Sequence, residues 1–296
     1  MKTKIRKGIG HGINYWIFVG PFLLSFLLSY LLPVVVGLSY SLYDWNGISN
    51  AKVFVGLKNY VNLFTRDKDY WNSIGFTFKF AFFNVILSNV LSLLMALWVT
   101  QKLRTSRFLR MSFFLPNVLC GTIIGFLWIF IFNQLLPEVG KVLGMSFLTK
   151  RLLGSMSTAW IAVLIVSLWQ GCGYNMIIYI AGLVSIDRTY YESAAIDGAG
   201  RIKTFFTITL PLLMPSITIT LFNTIGGSFR MFDLNLTLTN GGPGKSTQGL
   251  ALDVYLTAFS ENRMGYGQAK GVILLILVCT IALLQTSFTR RREVQL

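Results

Sequence analysis

Thr158-Ala-Trp-Ile-Ala-Val-Leu-Ile-Val-Ser-Leu-Trp-Gln-Gly-Cys-Gly-Tyr-Asn-Met-Ile-Ile-Tyr-Ile-Ala-Gly-Leu-Val-Ser-Ile186 contains no charged side chain. About 20 apolar residues span the ~30 Å hydrocarbon core as a helix, so this run is long enough to cross. Five more runs qualify, at 13–42, 74–100, 111–132, 212–232 and 272–289. Strands of a membrane barrel need only ~9–11 residues. Backbone groups in lipid must be satisfied within their own segment, which makes these runs helices. The whole chain is 54% hydrophobic and 12% charged, half the roughly 25% charge of a soluble domain. The fold class is therefore all-α: a polytopic membrane protein of six transmembrane helices, with residues 1–296 forming a single transmembrane domain.

Outward from these runs lie the charges. One set of loops carries Lys2, Lys4, Arg6, Lys7, then Lys102, Arg104, Arg107, Arg110, then Arg188, Arg201, Lys203, and finally Arg290, Arg291, Arg292. The alternate set carries Lys52, Lys58, Arg66, Lys68, Lys141, Lys150, Arg151, Lys245 and Arg263. The first set is richer, fourteen against nine, so the positive-inside rule puts both termini in the cytoplasm. The net charge of +15 thus reports topology; no basic, aromatic-interleaved surface suggests nucleic acid. The first run is too long for a signal-peptide core and lacks an A-x-A-like cleavage site, so it is read as retained. Cys120, Cys172 and Cys279 fall in or beside apolar runs and serve as small hydrophobes. His11 is the single histidine, which leaves no metal cluster and no catalytic triad to assemble, and no enzyme reading. Gly244-Lys245-Ser246 imitates the end of a phosphate-binding P-loop, but Thr239 stands where its first glycine is required.

Between the fourth and fifth runs the chain reads Tyr190-Tyr-Glu-Ser-Ala-Ala-Ile-Asp-Gly-Ala-Gly200, then Arg201-Ile-Lys-Thr-Phe-Phe-Thr-Ile-Thr-Leu-Pro211. Residues 190–195 suit a short helix that Gly198 and Gly200 stop. A second short helix over 202–210 is expected to meet Pro211, which cannot continue an undistorted helix. Phe205, Phe206 and Leu210 recur at helical spacing and form an apolar stripe. The expectation is a helix–turn–helix on the inner membrane surface with Glu192 facing out. On the residues alone two readings stay open: a partnerless interfacial hairpin, or a docking element.

Glu192-Ser-Ala-Ala195, Asp197-Gly198-Ala199-Gly200 and Ile208-Thr-Leu-Pro211 resemble the EAA motif of ABC importer permeases, E-A-A then D-G-A then I-x-L-P. Ser193 departs from it, small for small. Phe54-Val-Gly-Leu-Lys-Asn-Tyr60 with Leu63-Phe64 resembles the MalF-type branch, which serves oligosaccharides and glycerol-phosphate. So do Phe232-Asp233, Leu238-Thr-Asn-Gly-Gly-Pro243 and Gly265-Tyr266-Gly267. The resemblance implies a MetI-like core of six helices in a bacterial or archaeal cell membrane. It implies a second homologous permease, two ATPase subunits that use ATP and Mg, and an extracytoplasmic solute-binding protein. The subunit itself would hold no cofactor and hydrolyse nothing. Residues 187–211 become the cytoplasmic coupling loop, with Glu192, Ala194, Ala195, Asp197 and Gly198 facing the ATPase.

Polar groups inside apolar helices tend to face a cavity or one another. Gln170 and Tyr174, with Gly171 between, share a face of the fourth run. Gln170 lies about 18 Å from that run's outer end. Thr224, Ser228 and Met231 share a face of the fifth run beside Gly227, and Thr224 lies about 18 Å from its inner end. Helix-to-helix bonding would account for the pattern as well as a pocket would. The resemblance favours a pocket, because it aligns Gln170, Gly171, Tyr174, Thr224, Gly227, Ser228 and Met231 with positions where MalF-type permeases contact sugar. Ser228 and Met231 stand where asparagines are typical, so maltose itself is not implied. Asn84, Ser88, Asn89 and Ser92 of the second run are read as packing. Arg230, paired with Asp233, and Lys79 and Lys270 are read as snorkelling residues near span ends. Two other readings remain: an ABC permease for a non-sugar solute, and a secondary carrier. The carrier would need a paired intramembrane acid, which no run supplies at mid-depth, and the chain shows no internal repeat.

Overall fold

The computed structural model describes residues 9–101 and 104–291, with side chains from Trp16 onward. Lys2, Lys4, Arg6, Lys7, Lys102, Arg292 and the side chain of His11 lie outside the described residues. Helix α1 carries the span Trp16–Tyr40, with a wide π turn at Leu27–Leu31. A two-stranded antiparallel ribbon, β1 (Tyr43–Asp44) with β2 (Val53–Phe54), and the short α2 (Lys58–Thr65) follow. Buried Asn59 ties α2 to the end of α1 by donating to the Ser41 and Tyr43 carbonyls. The long helices α3 (Lys68–Val99) and α6 (Ala159–Ser185) and the final α12 (Met264–Arg290) are candidate spans, as is α5 (Gly121–Leu143), which carries a π turn at Ile131–Leu135. Between α3 and α5 comes α4 (Ser106–Val118). The short α7 (Arg188–Ile196) leads to α8 (Arg201–Leu212) and α9 (Met214–Phe229), which bend 67° against each other. Counting α8 and α9 as one broken span gives the six crossings expected. The outer loops add α10 (Asp233–Leu238) and α11 (Leu250–Ser260).

The third run departs from expectation. Residues 111–132 do not form one helix, because the chain is extended at Leu119 and Cys120. Pro116 lies in the last turn of α4 and removes a backbone donor there. The span proper is α5. A second difference concerns Pro211, where the helix was expected to stop. A π turn at Phe205–Thr209 precedes the proline and absorbs the missing donor, so α8 runs to Leu212 and breaks at Leu213.

Helix α6 is the centre of the bundle, packed against α3, α4 and α9. Its closest approach is at Gly173, where any Cβ would overlap the carbonyl of Phe113 on α4. The faces of α1 and α12 away from this centre expose large apolar side chains such as Phe22, Leu283 and Leu284, as lipid-facing helices do.

The end of the bundle at which α3 and α12 begin is held by charge. Lys270 was read as a snorkelling residue, but it is 3% exposed and lies 3.0 Å from Asp67 Oδ2 and 2.8 Å from Asp253 Oδ2. It also donates to Thr257 Oγ1. Three elements thus meet on one ammonium, which explains why α12 begins eight residues before the expected 272. Lys79 likewise holds its ammonium 3.9 Å from the Trp160 ring centroid. Burial opposes ionisation of Asp67, yet the Tyr70 N–H, Lys270 and Tyr266 outweigh it and keep its carboxyl below the ordinary value. Asp253 is more deeply enclosed, and burial pushes its carboxyl up against the pull of Lys270. Lys270→Met, which strands two carboxylates, should cost about 3–5 kcal/mol of stability. Asp67→Asn leaves the Lys270–Asp253 pair intact and should cost less. Its deficit should shrink as the pH falls below ~4, where a depressed carboxylate loses its contribution. Thermal unfolding of the detergent-solubilised protein at neutral and acid pH checks both; equal losses at neutral pH contradict the reading.

Candidate functional site

In an apolar bundle each polar side chain needs a partner. Helices α3, α6 and α9 meet this demand with a seam of reciprocal hydrogen bonds. At its inner end Thr220 Oγ1 donates to Tyr179 OH at 2.8 Å, which donates to Asn89 Oδ1 at 2.8 Å. One level up, Asn175 Nδ2 lies 2.9 Å from Thr224 Oγ1 and 3.2 Å from Ser88 Oγ. Beside it Ser92 Oγ donates to the Cys172 carbonyl at 2.9 Å. At the top Asn84 Nδ2 donates to Ser228 Oγ at 2.9 Å. Ser88, Asn89 and Ser92 are therefore packing groups, as expected. Thr224 belongs with them: it is buried under Asn175.

Above this seam the bundle opens into a cleft of about 300 Å³. Phe80 and Asn84 of α3 line it, with Asn117 and Gly121 from the α4–α5 break. Ser167, Gln170 and Gly171 come from α6, and Gly227, Ser228, Met231, Phe232, Asp233 and Leu234 from the end of α9 and the start of α10. Gln170 sits near the middle of α6 and donates Nε2 to the Leu119 carbonyl at 3.3 Å. The extended step at 119–120 thus positions one wall. Of the seven pathway residues expected from sequence, the cleft gathers Gln170, Gly171, Gly227, Ser228 and Met231. Thr224 lies in the seam, and Tyr174 stands outside the cleft on the open surface, 42% exposed. Aromatic surface comes instead from Phe232, since the Phe80 ring borders the cleft but is buried in the core.

Asn84 and Asp233 were missed as cleft residues. Asn84 looked like the rest of its polar stripe. Asp233 was placed beside Arg230 at the outer headgroups. The chain bends between them: Arg230 ends α9 with Nε on the Gly226 carbonyl, while Asp233 opens α10 inside the cleft against Gly121. One acid therefore shares the cleft with Gln170, although no span contributes it.

At the other end of α6, Asp187 caps α7 by accepting the Thr189 N–H, a bond that keeps its carboxyl below the ordinary range. Ala194 is buried against the bundle, while Glu192, Ala195 and Asp197 are exposed. Gly198 closes the helix at φ +71°, a left-handed conformation that glycine adopts without penalty. Tyr191 OH meets Thr209 Oγ1 at 3.2 Å and ties α7 to α8. Ile196 and Ile202 of the same loop expose apolar surface. In the P-loop lookalike, Lys245 Nζ pairs with Asp69 Oδ2 at 2.6 Å.

The family of binding-protein-dependent transport system inner membrane components matches residues 88–294 of this chain. The probable starch degradation products transport system permease protein AmyD of Thermoanaerobacterium thermosulfurigenes is 41% identical over 294 residues, covering 99% of this chain and 100% of that one. The multiple sugar-binding transport system permease protein MsmF of Streptococcus mutans is 37% identical, covering 88% and 90%. Among solved structures, a bacterial ABC transporter for import of the acidic polysaccharide alginate superposes with a TM-score of 0.82 at 19% identity, over 96% of this chain and 97% of that one. That likeness establishes the fold.

The seam and the cleft make separable predictions. Thr224→Val removes a seam acceptor and should lower stability by about 0.6–2 kcal/mol without changing the affinity of uptake. Gln170→Ala should raise the half-saturating solute concentration about two- to tenfold with little loss of stability. Uptake kinetics and thermal unfolding, measured on both variants, decide the assignment; the opposite pattern contradicts it.

Proposed function

The chain belongs to the binding-protein-dependent transport system inner membrane components, and on that premise we propose that it is one of two permease subunits through which an ATP-driven ABC importer moves a sugar or oligosaccharide into the cytoplasm. The observation that carries the reading is the cleft. Amides, hydroxyls and one carboxylate line it beside the phenyl ring of Phe232, in the midst of an apolar bundle. Sugar hydroxyls need donors and acceptors, and the C–H faces of a sugar ring pack on aromatic surface. The relatives named for starch products and multiple sugars point the same way. Tyr174 lies one helical turn from Gln170 on the open face; a second permease seated there would enclose it in a shared passage.

ATP hydrolysis, with its Mg, falls to two separate ATPase subunits, and this chain binds no cofactor of its own. An extracytoplasmic binding protein delivers the solute. Residues 187–211 form the coupling loop, with Glu192 and the exposed apolar side chains around it facing an ATPase. Both termini and this loop lie on the cytoplasmic side of a bacterial or archaeal cell membrane, as the distribution of lysine and arginine requires. Helix α6 links the two working ends: from Gln170 to its C-terminus is about 22 Å of continuous helix. A movement of α7 is therefore delivered to the cleft wall through a rigid rod.

Gly198→Val tests the coupling. A β-branched residue at φ +71° is strained by about 1–2 kcal/mol, which tilts α7 out of register while leaving the spans intact. The variant should insert and assemble, yet lose about tenfold or more of ATP-dependent sugar uptake and of solute-stimulated ATP hydrolysis. Wild-type coupling in that variant contradicts the role of the loop. Labelling of a Ser193→Cys protein from the external side, in a background lacking the three native cysteines, contradicts the orientation.

A further inference from the structure

We propose that Asn84 is a specificity-determining residue of the cleft: its Oδ1 accepts a hydroxyl proton from the transported sugar, and its amide is held in that orientation by Ser228. The inference rests on the sugar-permease reading and deepens it.

The orientation follows from counting protons. Ser228 Oγ lies 2.7 Å from the Thr224 carbonyl, a contact between two oxygens that requires the serine proton. With its proton committed, Ser228 Oγ can only accept from the Asn84 group 2.9 Å away. That group must be the amide nitrogen, which leaves Oδ1 as the other end. Asn84 Oδ1 is buried and has no hydrogen-bond partner among the described residues.

The other two carboxamides of the seam behave differently. Asn175 engages both ends, its Nδ2 on Thr224 and Ser88 and its Oδ1 near Asn223 Nδ2 at 3.5 Å. Asn89 donates to the Val85 carbonyl and accepts from Tyr179 OH. Asn84 alone of the three leaves an end unused, and it alone lines the cleft. A buried acceptor without a donor is costly, so a state in which the cleft widens beside Asn84 and a solute hydroxyl reaches Oδ1 is favoured. Gln170 reinforces the same polarity, because its Nε2 is turned to the Leu119 carbonyl and its acceptor end is left over. With the Asp233 carboxylate, the lining is rich in acceptors. The solute chemistry that fits is a cluster of hydroxyl donors, with Asn84 reading one particular hydroxyl.

The experiment uses the complete importer in proteoliposomes with its binding protein. Maltotriose, raffinose and sucrose are offered, and the sugar carried best by wild type is compared with its monodeoxy derivatives. Asn84→Leu should raise the half-saturating concentration about five- to tenfold, with the maximal rate close to wild type and a modestly lowered thermal midpoint, because the seam bond to Ser228 is lost with the amide. For one monodeoxy derivative, the one lacking the hydroxyl that Asn84 reads, wild type and Asn84→Leu should perform alike. If Asn84→Leu does not assemble, Ser228→Ala is read instead: it frees the amide to turn, and discrimination against that same derivative should fall. Equal shifts for every derivative, or no shift, overturn the assignment of Asn84 while leaving sugar transport standing. Failure of wild type to carry any of the sugars overturns both.

Discussion

Everything in this bundle depends on satisfying polar groups where no water can reach. A hydroxyl or carboxamide facing lipid is paid for in several kcal/mol of desolvation, so the polar residues of α3, α6 and α9 turn inward and bond one another. The resulting seam fixes three helices in mutual register at three levels: Thr220–Tyr179–Asn89, Asn175–Thr224–Ser88 and Asn84–Ser228. Hydroxyls complete it by returning their protons to their own helix, as Thr224 does to the Thr220 carbonyl and Ser228 to the Thr224 carbonyl. That local back-bonding determines which direction each carboxamide must face.

The same seam explains where the cleft can be. Below Ser228 the three helices are closed by mutual bonds. Above it the chain leaves regular helix in two places, at Leu119–Cys120 and at Arg230–Phe232, and the space between those breaks is the cleft. Broken backbone is tolerated at such depth only where protein or a polar cavity satisfies it, and Gln170 does this for the Leu119 carbonyl. The ion network at Lys270 closes the opposite end by joining α12 to the start of α3 and to α11. The cleft therefore sits between a stiff seam and a charged clasp, with α6 leading from its wall to α7. A permease needs this division of labour: fixed contacts to define a path, and a rod to move one wall of it.

Much of this was legible in the sequence because it depends on composition and period. Run length located the spans apart from the third, which the extended step at Leu119–Cys120 moves to Gly121–Leu143, and Gly198 marked the turn after α7. Helical spacing grouped Gln170 with Tyr174, and Thr224 with Ser228 and Met231. Spacing shows which residues share a face, however, and not what that face meets. Thr224 and Ser228 lie on one stripe, but Asn175 covers the first and the cleft receives the second. Tyr174 follows Gln170 by one turn, yet only Gln170 meets the extended step after α4, at the Leu119 carbonyl, and borders the cleft. Lys270 had the sequence context of a snorkelling lysine, since its two carboxylates come from positions 203 and 17 residues earlier in the chain. Asp233 was hidden for the same reason, because the bend that returns it to the cleft is a tertiary feature.

The central claim is that the cleft above the seam is part of the solute path. It is tested most directly by a Gly227→Cys protein, free of its native cysteines and assembled with its partners. A small water-soluble thiol reagent should modify Cys at that position in one nucleotide state of the ATPase and far more slowly in the other, and transported sugar should protect it. Modification at one unchanging rate, indifferent to nucleotide and to sugar, would contradict the account.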